Sequence, residues 1–131
     1  MIRWCVVMVI GCSMLISGCA TVPITERTQL SFVPATELLA LSEDNYNEII
    51  QSATLSNDTQ MVRRVETVGR KIATSAEAFL LDAGREEEIA KYDWEFTLIE
   101  DDDMINAFCL PGGKVVVFTG ILPVARDETG L

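Results

Sequence analysis

Apolar positions along this chain change period. From Thr36 to Ser52, Leu38, Leu39, Leu41, Tyr46, Ile49 and Ile50 recur at partly helical spacing. Thr36 is a candidate N-cap there, with Glu37 in the favourable first turn. Residues 55–59, LSNDT, break the pattern and offer Asn57 or Asp58 as the cap of a second helix. In that helix Met61, Val65, Val68, Ile72, Ala76 and Phe79 are spaced 4, 3, 4, 4 and 3, which predicts one buried face. Arg63, Arg64, Glu66, Arg70, Lys71 and Glu77 fall mostly towards solvent. Gly69 beside the stripe admits a close neighbour, and Gly84 ends the helix. The charged run Arg85 to Glu88 opens a short solvated helix or loop.

The period then becomes two. In 94-WEFTLIE-100, Trp94, Phe96 and Leu98 alternate with Glu95, Thr97 and Glu100, the pattern of a half-buried strand. A second strand is expected near Ile105 to Leu110 and a third from Lys114 to Phe118. Pro111-Gly112-Gly113 joins them as a hairpin, because proline presets the first corner and glycine supplies positive φ at the next. Asp101, Asp102 and Asp103 lack the spacing and the glycine of a calcium loop, and read as a charged turn. Thr119 is placed to cap a short helix over Gly120 to Val124, and Asp127 and Glu128 suit a further helix start. The expected class is α+β: N-terminal helices, then a small antiparallel or mixed sheet with a hairpin.

Composition narrows the functions. The 131 residues suffice for one domain, and 49% apolar content is that of a globular chain. A formal net charge of -10 repels phosphate backbones, which argues against a nucleic acid partner. At the N-terminus, Arg3 precedes the apolar run WCVVMVIGCSMLIS, too short for a comfortable span but suited to a secretory signal. Ile16-Ser17-Gly18-Cys19 looks like a bacterial lipobox. It predicts a lipoprotein signal over 1–18, lipidation at Cys19, a tether over 19–35 and a domain over 36–131. The expected partner is then a bilayer held through Cys19, and the expected place the periplasmic side of a bacterial outer membrane. Cys109 would be the one thiol left in the domain. With no histidine in the chain to serve as its base, it reads as a buried packing residue between Phe108 and Leu110.

The order of 94-WEFTLIE-100, Asn106-Ala107-Phe108, Pro111-Gly112-Gly113, Thr119-Gly120-Ile121-Leu122 and 127-DETGL-131 resembles one family of zinc metalloendopeptidases. It includes the HtpX heat-shock protease, the CaaX prenyl protease and the Oma-type mitochondrial protease. The resemblance covers roughly residues 22 to 131 and is strongest to the bacterial lipoprotein branch. It implies the N-terminal part of an incomplete zincin-like catalytic domain acting on protein or peptide substrates, with zinc as cofactor. In that family a His-Glu-x-x-His helix begins within a few residues of the segment matching Asp127 to Leu131. Its histidines bind zinc, its glutamate is the general base on metal-bound water, and a third ligand follows later.

This sequence holds none of these groups, so no residue is assigned as catalytic or as a metal ligand, and the chain alone is expected to bind no zinc and to be inactive. Glu128 reads as a helix-start acid. The resemblance does imply a substrate-cleft edge over Gly112, Gly113, Lys114, Val115, Val116 and Val117, because related proteases bind substrate as an added strand. The run Val115-Val116-Val117-Phe118 equally suits an interior strand. A non-catalytic envelope lipoprotein serving as a protein-binding module is the alternative function.

Overall fold

The computed structural model describes residues 19–21, 28–30 and 33–131. The expected signal segment 1–18 lies outside them. Two compact units result, Met1–Glu37 and Leu38–Leu131. In the first, β1 (Cys19–Thr21) and β2 (Thr28–Leu30) pair antiparallel with Cys19 opposite Leu30, so the span read as a tether contains a short two-stranded ladder.

The rest of the order is α1 (Ala35–Ser52), α2 (Thr59–Asp82), α3 (Glu86–Ile89), β3 (Glu95–Ile99), β4 (Ala107–Leu110), β5 (Lys114–Phe118), a 3-10 turn (Thr119–Ile121) and α4 (Leu122–Ala125). The α+β expectation holds. α1 begins at Ala35, one residue before the expected cap Thr36, and the Pro34 carbonyl accepts the Glu37 N–H at 3.1 Å. Asp58, not Asn57, caps α2, its Oδ1 accepting the N–H groups of Gln60 and Met61 at 2.9 and 3.1 Å. α2 ends in a Schellman arrangement. Arg85 N–H reaches Leu80 O at 2.8 Å, Gly84 N–H reaches Leu81 O at 2.9 Å, and Gly84 takes φ 68°.

The buried face of α2 differs from the predicted stripe. Val65, Val68, Ala73 and Leu80 are buried, whereas Met61, Ile72 and Phe79 are 40%, 58% and 53% exposed. The cause is Gly69. A Cβ there would lie 2.2 Å from Phe96 Cδ1, so the ring of β3 occupies the space where other residues carry a side chain. The helix therefore meets the sheet along Val65, Gly69, Ala73 and Leu80, also a helical spacing.

The sheet order is β3-β5-β4, with β3 parallel and β4 antiparallel to β5. Its two faces carry separate cores. Val65 of α2, Leu98, Val117 and Leu122 form one, with Phe96, Val115 and Leu131 against it. Tyr46 of α1, Ile99 and Val116 form the other, with Ile49, Phe108 and Phe118 against it. The outer side of β3 is capped by the segment between α1 and α2. Ser56 N–H reaches Leu98 O at 2.9 Å, Glu100 N–H reaches Thr54 O at 2.8 Å, and Leu55 bridges Ile99. Among the described residues no strand covers the outer side of β4.

Candidate functional site

Strand order decides which backbone is available. β5 pairs on both sides, and Lys114, Val116 and Val117 are buried. The expectation of a cleft edge along Lys114 to Val117 is therefore corrected: β5 is the interior strand, and the open edge is β4. The apolar run of β5 has its ordinary meaning, a strand covered on both faces.

The pairing phase fixes what β4 presents. Phe118 N–H donates to Asn106 O at 3.1 Å, and antiparallel pairs alternate between bonded and non-bonded. Phe108 and Leu110 therefore direct their main-chain groups to β5, opposite Val116 and Lys114, while Ala107 and Cys109 direct theirs outward. Asn106 Oδ1 accepts the Ala107 N–H at 2.9 Å. The outward groups left for a partner are the Ala107 carbonyl and both main-chain groups of Cys109. Cys109 itself is exposed, which corrects its expected burial; the small residues Ala107 and Cys109 lie opposite Val117 and Val115, on the sheet face that carries the Val65 core. Partial desolvation raises its thiol pKa, and Sγ contacts Leu110 O at 3.4 Å, so it is held as a thiol.

The hairpin that carries this edge is held from below. Gly112 and Gly113 take φ 86° and 88°, and a Cβ on Gly113 would lie 2.8 Å from Trp94 Cε3. Ser42 Oγ donates to Pro111 O at 2.6 Å. Lys114 Nζ, whose side chain is 3% exposed, binds Asp93 at 2.8 Å, Glu43 at 3.3 Å and Glu95, and lies 5.6 Å from the Tyr46 ring centroid. Burial works against the ammonium, but hydrogen bonds to Asp93, Glu95 and Glu43 outweigh it and raise the lysine pKa. The Tyr46 hydroxyl shares a 2.6 Å hydrogen bond with Thr97 Oγ1, and burial raises the phenol's pKa.

At the other end of the sheet the aspartates are structural. Asp101 Oδ1 accepts the Asp103 and Met104 N–H groups, each at 3.1 Å. Thr119 does not cap the following turn; its buried Oγ1 accepts the Asp101 N–H at 2.9 Å and donates to Asp102 Oδ1 at 2.6 Å. Arg126 then takes φ 67° and ψ -56°, and Asp127 N–H closes a γ-turn on Ala125 O at 2.8 Å. Asp127 Oδ1 accepts the Thr129 and Gly130 N–H groups at 2.9 and 3.1 Å, and Leu131 N–H reaches Asp127 O at 3.3 Å. That is the geometry of an N-capped first turn. Glu128 binds Lys71 at 2.9 Å, and that hydrogen bond lowers its pKa.

Zinc does not fit the residues present. The chain has no histidine, and Glu43, Asp93 and Glu95, three carboxylates that do converge, are held by the Lys114 ammonium. Among the described residues no group of three His, Cys, Asp or Glu has metal-binding geometry.

Comparison with known proteins sets this arrangement in a class. The chain belongs to peptidase family M48, a family of zinc metallopeptidases, whose model matches residues 60–131, more than half its length. It is 27% identical over 119 residues to the mitochondrial metalloendopeptidase OMA1 of Saccharomyces cerevisiae, covering 83% of this chain and 32% of that protein. It is 58% identical over 38 residues to OMA1 of Schizosaccharomyces pombe, covering 29% of this chain and 11% of that protein. For OMA1 of Arabidopsis thaliana the figures are 59% over 29 residues, 22% and 6%. The chain thus spans a third or less of the length of these relatives. They are mitochondrial proteins of eukaryotes, which overturns the expected bacterial outer-membrane location.

Proposed function

We propose that this chain is the substrate-side portion of a zinc-dependent metalloendopeptidase, and that β4 takes an extended polypeptide as an added strand. The observation that carries the proposal is the open edge of β4, with the main-chain groups of Cys109 directed outward. Strand addition uses backbone groups, so it recognises protein or peptide substrates without demanding one sequence. Gly112, Gly113 and the clasp around Lys114 serve this edge by fixing the hairpin, while Val115, Val116 and Val117 form the strand behind it. The Asp127-capped turn supports a helix start where the family carries its metal-binding helix. Zinc, its ligands and the general base would come from that helix, and no step of the chemistry is assigned to residues of this chain.

Two measurements test this. Adding an extended peptide should shift the Cys109 amide resonance, and the same peptide N-methylated at alternate positions should not. An unmoved Cys109 amide at saturating peptide overturns the substrate-side role. The reading frame past codon 131 tests the catalytic half: an in-frame His-Glu-x-x-His helix supports the enzyme, and a stop codon supports a non-catalytic protein-binding module. Lipid attachment at Cys19 is proposed from Ile16-Ser17-Gly18-Cys19 alone. Release of a Cys19→Ala variant from membranes would support it, and unchanged fractionation would refute it.

A further inference from the structure

The row of main-chain groups on the open side of β4 is closed at both ends. At its start, Asn106 Oδ1 accepts the Ala107 N–H at 2.9 Å, so the first outward donor of the strand is taken by the residue before it. Just upstream the backbone leaves the extended line. Asn106 N–H donates to Met104 O at 3.1 Å, a γ-turn about Ile105. That turn is held in place: Asp101 Oδ1 accepts the Met104 N–H at 3.1 Å, and a Cβ on Gly120 would lie 2.7 Å from Met104 O. At the other end, the next residue in the outward phase is Pro111, which has no N–H. Its carbonyl accepts Ser42 Oγ at 2.6 Å. Gly112 and Gly113, at φ 86° and 88°, then turn the chain into β5.

Between these limits the Ala107 carbonyl and the Cys109 N–H and carbonyl face outward. An open edge ordinarily invites pairing along its whole length. Here an incoming antiparallel residue opposite Cys109 exchanges both bonds with it, and the residue two further on donates to the Ala107 carbonyl. The carbonyl of that second residue finds the Ala107 N–H already satisfied. In the parallel direction the same groups also engage residues two apart, so either way the contact spans three consecutive residues.

We propose that β4 is a length-limited docking edge that grips an extended polypeptide over three residues, with Asn106 as the positioning residue that closes its upstream end. The proposal rests on strand addition at β4 and adds its extent. Substrate residues outside the three have no main-chain partner on this edge and are free to bend away. The fitting substrate is therefore a locally extended stretch, such as an exposed loop or an unfolded segment, and not a long preformed strand. Closure at both ends also leaves little edge for a second copy of the chain to pair with.

The test is amide hydrogen exchange at Ala107 and Cys109 of the 131-residue chain, with and without the capped peptide acetyl-Thr-Val-Thr-Val-Thr-Val-amide. At a peptide concentration ten times the dissociation constant, Cys109 exchange should slow about tenfold. The Ala107 amide, already bonded to Asn106, should exchange at an unchanged rate. Asn106→Ala frees that N–H, so Ala107 should exchange faster in the free protein and slow with peptide in step with Cys109. Affinity should then rise by up to about tenfold, the equivalent of one main-chain hydrogen bond. Asn106→Asp, which keeps an acceptor oxygen, should behave as the native chain does. Slowing at Ala107 together with Cys109 in the native chain overturns the closure and leaves strand addition standing. Weaker peptide binding by a folded Asn106→Ala chain also overturns it, since Asn106 is then a substrate contact. Cys109 exchange unchanged at saturating peptide overturns strand addition and this proposal with it. The native comparison uses no variant, so it decides the matter even if Asn106→Ala loosens the hairpin.

Discussion

Lys114 Nζ lies 2.8 Å from Asp93 Oδ2, yet the lysine side chain is 3% exposed and the aspartate side chain 86% exposed. The ammonium is enclosed by its own partners, which stay in contact with water. The carboxylates therefore keep much of their hydration while screening the cation from the core, a cheaper arrangement than a fully buried pair. It ties the first residue of the central strand to β3 through Glu95 and to α1 through Glu43.

Lys114→Met should destabilise the chain by about 1.5–3 kcal/mol, the range for a hydrogen bond to a charged group. Solvent contact of the three carboxylates keeps the loss at the lower end. Urea denaturation of the two proteins checks this; equal midpoints would mean that the clasp contributes nothing net.

The same clasp makes the fold sensitive to alkali. The lysine pKa is raised in the folded state, so its contribution is complete below the unfolded value of 10.5 and is lost as pH rises beyond it. Tyr46 acts in the same direction, because its raised pKa favours the neutral phenol of the folded state above the ordinary 10.0. Stability of the native chain should fall more steeply above pH 10.5 than that of Lys114→Met. Parallel pH profiles would exclude the linkage.

Gly69→Ala separates helix propensity from packing. In an exposed helix the change should stabilise by up to about 1 kcal/mol. Here the new Cβ would lie 2.2 Å from Phe96 Cδ1. The expected outcome is a loss of about 1–3 kcal/mol, as for other overpacked cores. Combining it with Phe96→Leu should restore part of the melting temperature, and failure of that rescue would place the strain elsewhere.

How much of this was legible beforehand depends on whether the cause is local. The alternation in 94-WEFTLIE-100 and the turn chemistry of Pro111-Gly112-Gly113 act between near neighbours, and β3 and the hairpin follow from them. Strand order does not act locally. β3 and β5 are partners in register, Glu95 opposite Lys114, although β4 lies between them in sequence. Nothing within one strand reports that. The continuous apolar run of β5, set against small Ala107 and Cys109 alternating with large Phe108 and Leu110, was the available signal for which strand lies inside. The face of α2 was ambiguous for a related reason, since two helical stripes share Val65 and the choice rests on a ring contributed by Phe96. The helical spacing puts Arg64 off the apolar stripe, towards solvent, and only the fold shows its Nη2 buried.

The open edge of β4 yields the sharpest functional prediction. Proline removes a backbone N–H and is tolerated in sheets where that N–H faces outward. At Cys109 the outward N–H is the one expected to meet a substrate strand, so Cys109→Pro should leave the β5 ladder intact. Its melting temperature should change little, while affinity for an extended peptide should fall by about tenfold, equivalent to one main-chain hydrogen bond. Phe108→Pro is the control. Phe108 directs its N–H towards β5 opposite Val116, so proline there should unravel the hairpin and lower the melting temperature markedly. Peptide binding that survives Cys109→Pro undiminished, in a folded protein, would place the substrate strand on another edge.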